Sequence, residues 1–129
     1  MAINYVVVPR RNMVDETAPS KFYALSKSSG ETTLRKLANR ISSMSTVSTI
    51  DTQAVLEALL QVIPEELAEG NIVRLGDFGN FYTTIKSNGI DNEESFNESL
   101  IEKACIRFRP GHEIKKTLNN VQYKKLKLN

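Results

Sequence analysis

Apolar and polar positions alternate with period two near the start of the chain. They follow a helical period between roughly residues 32 and 70, and return to period two beyond. Ile3 to Val8 is β-branched and aromatic, and Lys21 to Lys27 sets Phe22, Ala24 and Ser26 against Tyr23, Leu25 and Lys27. Arg10 to Ser20, between Pro9 and Lys21, reads as a connecting loop. The pattern predicts two strands able to pair. A lone hairpin is marginal in water, so it is expected to lie on the rest of the domain.

Leu34, Leu37, Ile41 and Met44 define one apolar stripe of a first helix, which Thr32 or Thr33 can cap. The Ser- and Thr-rich segment from Ser42 to Thr49 suits a turn, after which Thr49 or Asp51 can cap a second helix. Between Ala54 and Ile63 only Glu57 and Gln61 are polar, on one narrow strip. Leu56, Leu59, Leu60 and Ile63 fill one side, and Val55, Ala58 and Val62 carry apolar surface around the cylinder. A small domain has few ways to cover so wide a face from within, which predicts burial on two sides and a homodimer. Pro64 either kinks this helix or opens a second one at its first position; Glu65 and Glu66 in the first turn favour the second alternative. Gly70 is a natural stop.

Ile72 to Leu75 and Asn80 to Lys86 read as strands on either side of Gly76-Asp77-Phe78-Gly79, where two glycines permit positive φ. Asn88-Gly89 signals a turn. Residues 90–102 fit either an arm or a short helix, since Phe96 and Leu100 share helical spacing. Ala104 to Arg109 is a strand with Ala104, Ile106 and Phe108 on one face and Cys105, Arg107 and Arg109 on the other. Pro110-Gly111 ends it. A helix from about His112 is expected to turn Ile114, Leu118 and Val121 inward, and Tyr123, Leu126 and Leu128 suggest a closing strand.

The chain has 129 residues, 40% apolar and 25% charged, which suits one soluble domain. No apolar run approaches a membrane span, and Met1 to Arg11 lacks the apolar core of a secretory signal, so the expected compartment is the cytoplasm. One cysteine and one histidine exclude a disulfide framework and a structural zinc site. The formal net charge of +2 hides a gradient. Residues 1–87 balance nine Lys/Arg against nine Asp/Glu, residues 88–102 hold five acids and no base, and residues 103–129 hold eight bases and one acid. Such a basic block fits either a polyanion-binding surface or a solvated lysine-rich tail.

Candidate chemistry is sparse. Asp77-Phe78-Gly79 matches a kinase metal-binding triplet, but the chain has no phosphate loop, strand lysine or catalytic loop to accompany it. Cys105 and His112 form the only nucleophile–base pair to consider, and a mid-strand cysteine is ordinarily a small filler. The expectation is therefore a non-enzymatic protein without metal or cofactor. Arg107 and Arg109 carry more information. Same-face residues of a strand lie about 6.6–6.8 Å apart, close to the roughly 7 Å rise of two phosphates along one DNA strand. Lys86 on the preceding strand, Lys103 in the basic block, and Lys115 and Lys116 after the turn could extend the stripe. Solvent-facing arginines would give the same pattern.

The order helix, helix, Ile72-Val73-Arg74-Leu75-Gly76-Asp77-Phe78-Gly79-Asn80-Phe81, acidic segment, Phe108-Arg109-Pro110-Gly111, helix resembles the bacterial HU/IHF family of histone-like DNA-binding proteins. The resemblance covers about residues 32–121, and the flanking strand-like segments are similar to an elongated HU-like branch. It implies an α+β fold and an intertwined homodimer, with a helical base, a β-sheet saddle and two arms. Residues 1–31 would form an N-terminal β-hairpin extension, and residues 122–129 a basic strand or tail. The resemblance further implies nucleoid duplex DNA as partner, held through phosphates with little sequence reading, in an architectural role. Phe78, Phe81 and Phe108 would be core, and Lys86, Arg107, Arg109 and Lys115 would lie near DNA. One departure stands out: family arms end in a proline-bearing Arg-Asn-Pro-x-Thr-Gly tip, whereas Asn88 to Glu102 has neither proline nor arginine and is acidic. An acidic tip would be repelled by phosphates, so the alternative is a protein–protein module on the same scaffold, with residues 88–102 engaging a protein partner.

Overall fold

The structure, a computed structural model, describes residues 1–127, so Leu128 of the expected closing strand lies outside the described residues. Among the described residues six strands and three α-helices give an α+β fold. It divides into two compact units, Met1–Thr33 with Thr117–Asn129, and Leu34–Lys116.

In the first unit, β1 (Ala2–Arg10) and β2 (Lys21–Lys27) pair antiparallel, from Asn4 opposite Lys27 to Arg10 opposite Lys21. The hairpin is not alone: β6 (Gln122–Lys125) adds a parallel edge beside β1, giving the order β2-β1-β6. The Leu126 N–H extends this pairing by donating to the Tyr5 carbonyl at 2.8 Å. Val6 is buried, while every residue of β2 is exposed.

The second unit opens with α1 (Leu34–Ser43), which starts directly after Thr33. It packs on α2 (Thr49–Ala68) around Ala38, whose methyl leaves no accessible surface. The cap of α2 is Ser48, one residue ahead of Thr49 and three ahead of Asp51, the two expected caps: its hydroxyl accepts from the Asp51 N–H at 3.1 Å. Thr52, buried on the first turn, satisfies its own hydroxyl on the Ser48 carbonyl at 2.8 Å. Pro64 lies inside α2 rather than opening a new helix. Its fixed φ suits the helix, at the cost of one helical hydrogen bond and of a ring crowding the carbonyl four residues back. The stop at Gly70 has φ 82°, with Gly70 N–H to Leu67 O and Asn71 N–H to Glu66 O, the Schellman pattern.

Strands β3 (Val73–Arg74), β4 (Gly79–Ser87) and β5 (Ile101–Pro110) form an antiparallel sheet in that order. The turn from Gly76 to Phe78 is one 3-10 turn, and Gly76 and Gly79 have φ of 57° and 149°. Residues 90–100 form neither a helix nor a continuation of the strands. They make two single 3-10 turns, Glu93–Ser95 and Glu98–Leu100, each capped by an asparagine side chain, Asn92 and Asn97. Short polar side chains compete well for backbone N–H groups in a segment with too few apolar residues to bury a helix. Helix α3 (His112–Asn119) ends before Val121, and Leu118 is 54% exposed rather than turned inward. Among the described residues no helix is long and apolar enough to cross a membrane.

Candidate nucleic-acid interface

The two turns that carry the resemblance meet in space. The Gly111 N–H donates to the Phe78 carbonyl at 2.9 Å, and a Cβ at Gly111 would stand 2.1 Å from the Asp77 carbonyl oxygen. At Gly79 a Cβ would meet the Arg109 carbonyl oxygen at 2.6 Å and the Phe108 ring at 2.7 Å. Only hydrogen fits at either position, so β4 and β5 are locked with Gly79 opposite Pro110.

That register sets the faces. Directly opposed residues of an antiparallel ladder share a face, so Asn80/Arg109, Tyr82/Arg107, Thr84/Cys105 and Lys86/Lys103 point one way. Gly79/Pro110, Phe81/Phe108, Thr83/Ile106 and Ile85/Ala104 point the other way. On the first face Arg74 lies opposite Asn80, so Arg74, Asn80 and Arg109 form one row across three strands. A shallow depression of about 220 Å³ lies among Ile72, Arg74, Asn80, Tyr82 and Arg109. The result is a sheet face with five cations and neutral hydrogen-bonding side chains between them.

Four of the six residues expected at a DNA surface, Lys86, Lys103, Arg107 and Arg109, share this face. Lys115 and Lys116 lie on α3, off the strand ladder. Arg74 and Tyr82 are part of the face and were not among the expected residues. Tyr82 shares the period-two set of Asn80 and Lys86, which the sequence does display, whereas Arg74 is placed on this face only by its pairing with Asn80. Lys86 does not stand free, since its Nζ lies 3.5 Å from Glu102 Oε2. Glu102 has no ladder partner, because the register passes from Lys86–Lys103 to Ser87–Ile101. It is the extra residue of a β-bulge. With the two side chains 65% and 41% exposed, this pair is weak and open to exchange for another anion.

The opposite face is apolar and poorly covered. The Phe108 ring lies 4.7 Å from Phe81 and 5.7 Å from Phe78, centroid to centroid, so the three expected core aromatics do cluster. They are not buried: Phe78 and Phe108 are 52% and 40% exposed, and Ile85 and Ile106 over 60%. Among the described residues of Leu34–Lys116 nothing closes over them. Cys105 is half-buried opposite Thr84, and His112 is the first residue of α3.

Residues 1–125 match the family described as an HU domain fused to a wHTH, Ig or glycine-rich motif, HU-HIG. The chain belongs to the HU-HIG family. The match extends past the segment that carried the sequence resemblance, through β1, β2 and β6. No curated protein matches the chain. Among solved structures it is similar to a protein of Bacteroides vulgatus ATCC 8482 described as a candidate bacterial DNA-binding protein. The TM-score is 0.65 at 10% identity, over 97% of this chain. The likeness establishes a shared fold, and this HU-HIG chain spans about half, 48%, of that protein's chain.

Proposed function

We propose that this HU-HIG domain binds duplex DNA through phosphate contacts, as a homodimer, using the sheet face of Arg74, Lys86, Lys103, Arg107 and Arg109. The observation that carries the reading is the strand register, which gathers these five cations on one face and leaves their opposite face apolar. Alternate cations along β5 match the phosphate repeat, and side chains such as Tyr82 and Asn80 add donors to backbone oxygens without reading bases. Membership in a family of HU domains and the shared fold with a protein described as a candidate DNA-binding protein support the same conclusion. The compartment this implies is the bacterial nucleoid, and the role is architectural rather than catalytic.

The dimer rests on exposed apolar surface. Val6, Ala38 and Leu67 are the buried apolar residues among those described, while Val55, Leu59, Leu60 and Val62 on α2 are 41–65% exposed. The accessible surface is 11214 Å², against roughly 6900 Å² for folded single chains of this mass. A second copy seated on α2 and on the aromatic face of β4 and β5 would remove such surface on the scale of an obligate interface.

The 88–100 loop has a different part. It is closed at its base by the Asn88 N–H to Leu100 carbonyl bond at 2.8 Å, and it carries four of the five acids between residues 88 and 102. Its charge is wrong for phosphate contact, so DNA is held by the sheet face without wedging from the tip. The exposed Ile90 and Phe96 beside these acids favour a protein partner for the tip. Fluorescence anisotropy with a duplex of about 20 bp tests the reading. Arg107→Glu with Arg109→Glu abolishes binding at physiological salt in a protein that keeps its dimer and circular dichroism; unchanged affinity would remove the sheet face from the account.

A further inference from the structure

The first unit carries the chain's positive excess. Its segments, residues 1–33 and 117–129, hold seven Lys/Arg against three Asp/Glu, whereas residues 34–116 hold ten against twelve. At the loop end of its hairpin, Arg10 stands directly opposite Lys21. Like charges in opposed positions weaken a strand pair. The β4–β5 ladder has the same arrangement at Lys86 and Lys103, and there the bulged Glu102 supplies a counter-charge to Lys86. The hairpin holds no equivalent: among the described residues Arg10, Arg11 and Lys21 make no ion pair.

The acid nearest Arg11 in sequence, Asp15, is engaged elsewhere. Its Oδ1 accepts from Thr17 Oγ1 at 2.6 Å and from the Thr17 N–H at 3.1 Å. The Arg10 guanidinium lies over the Tyr23 ring, 5.9 Å from its centroid, which steadies the guanidinium and leaves its N–H fork available. Arg10, Arg11, Asn12, Pro19, Lys21 and Tyr23 border a depression of about 500 Å³.

We propose that Arg10, Arg11 and Lys21 form a second phosphate-binding site, separate from the β4–β5 face, which takes the phosphodiester backbone of bound DNA. It rests on the reading that this protein binds duplex DNA. The opposed pair lacks a counter-ion within the chain, and the phosphate supplies it. Arg10 engages two oxygens, Lys21 contributes a point charge to the same group, and Arg11 reaches its neighbour.

Anisotropy titrations with a duplex of about 30 bp, across a salt series, compare three proteins: the natural chain, Arg10→Ala with Arg11→Ala and Lys21→Ala, and Arg107→Glu with Arg109→Glu. In the triple-alanine protein the fall of log K with log salt becomes shallower by about 0.9 for each phosphate no longer neutralised, roughly 1.8 for the two phosphates that the site holds. Its deficit against the natural chain widens as salt is lowered. Lys21→Gln alone, which keeps the hairpin intact, gives a smaller change of the same sign. Natural affinity and slope in both variants, with binding abolished in Arg107→Glu/Arg109→Glu, would overturn the second site and leave the sheet face standing. Natural binding by Arg107→Glu/Arg109→Glu would instead defeat the sheet face, and the triple-alanine slope would still decide the hairpin. Inorganic phosphate saturating the Arg10 and Lys21 resonances at millimolar concentration, with no slope change in DNA binding, would also overturn the proposal by assigning the site to a small anion.

Discussion

At Gly79 a single hydrogen decides the geometry of the candidate interface. Its φ of 149° is one that side chains rarely tolerate, and the atom a Cβ would strike, the Arg109 carbonyl oxygen at 2.6 Å, is backbone of the paired strand. Gly79→Ala therefore lowers stability by at least about 1–3 kcal/mol, seen as a fall in the urea midpoint; an unchanged midpoint would mean that the register does not depend on this residue. The residues of this turn were legible in sequence, because Gly76 and Gly79 around Asp77-Phe78 permit positive φ. The closeness of Gly111 to Asp77 was not, since Pro110-Gly111 by itself says only that a strand ends. Arg74 was hidden for a related reason. A two-residue strand is too short to display period two, and only pairing to Asn80 reveals where Arg74 belongs.

Among the elements, α2 shows how near the two readings of one proline can be. A proline opening a helix and a proline inside one have the same φ, and they differ by whether the preceding turn remains helical. Here the turn before Pro64 stays helical, and α2 is one helix of 20 residues. Pro64→Ala restores a backbone donor inside α2 and raises stability, by up to about 3 kcal/mol from propensity; a lower thermal midpoint would show that the local geometry at Pro64 serves a contact. Strands fared better than the acidic loop. The alternation in β4 and β5 follows directly from side-chain polarity, whereas the two turns in 92–100 are set by Asn92 and Asn97 bonding to nearby N–H groups, which hydropathy does not record.

For the whole molecule, the apolar surface left open by one chain is the dominant fact. The over-wide apolar face of α2 was legible, because no other pattern in the chain could cover it. The exposure of Phe78 and Phe108 was not, since gathering three aromatics into one cluster does not say how much of it the chain can bury. Leu60→Glu separates the alternatives. At a position 56% exposed in a monomer the change costs within about 0.5 kcal/mol, but in a dimer packed on α2 it dissociates or unfolds the protein, read by sedimentation velocity together with circular dichroism. A monomeric sedimentation coefficient for the natural chain at micromolar concentration would contradict the dimer outright. The central claim, that one face of β3, β4 and β5 holds DNA, is tested most directly by mapping amide and side-chain NMR shifts as a duplex of about 20 bp is added. The account predicts saturable shifts at Arg74, Tyr82, Arg107 and Arg109, with residues 90–98 unmoved; shifts confined to the acidic loop, or absent from β5, would contradict it.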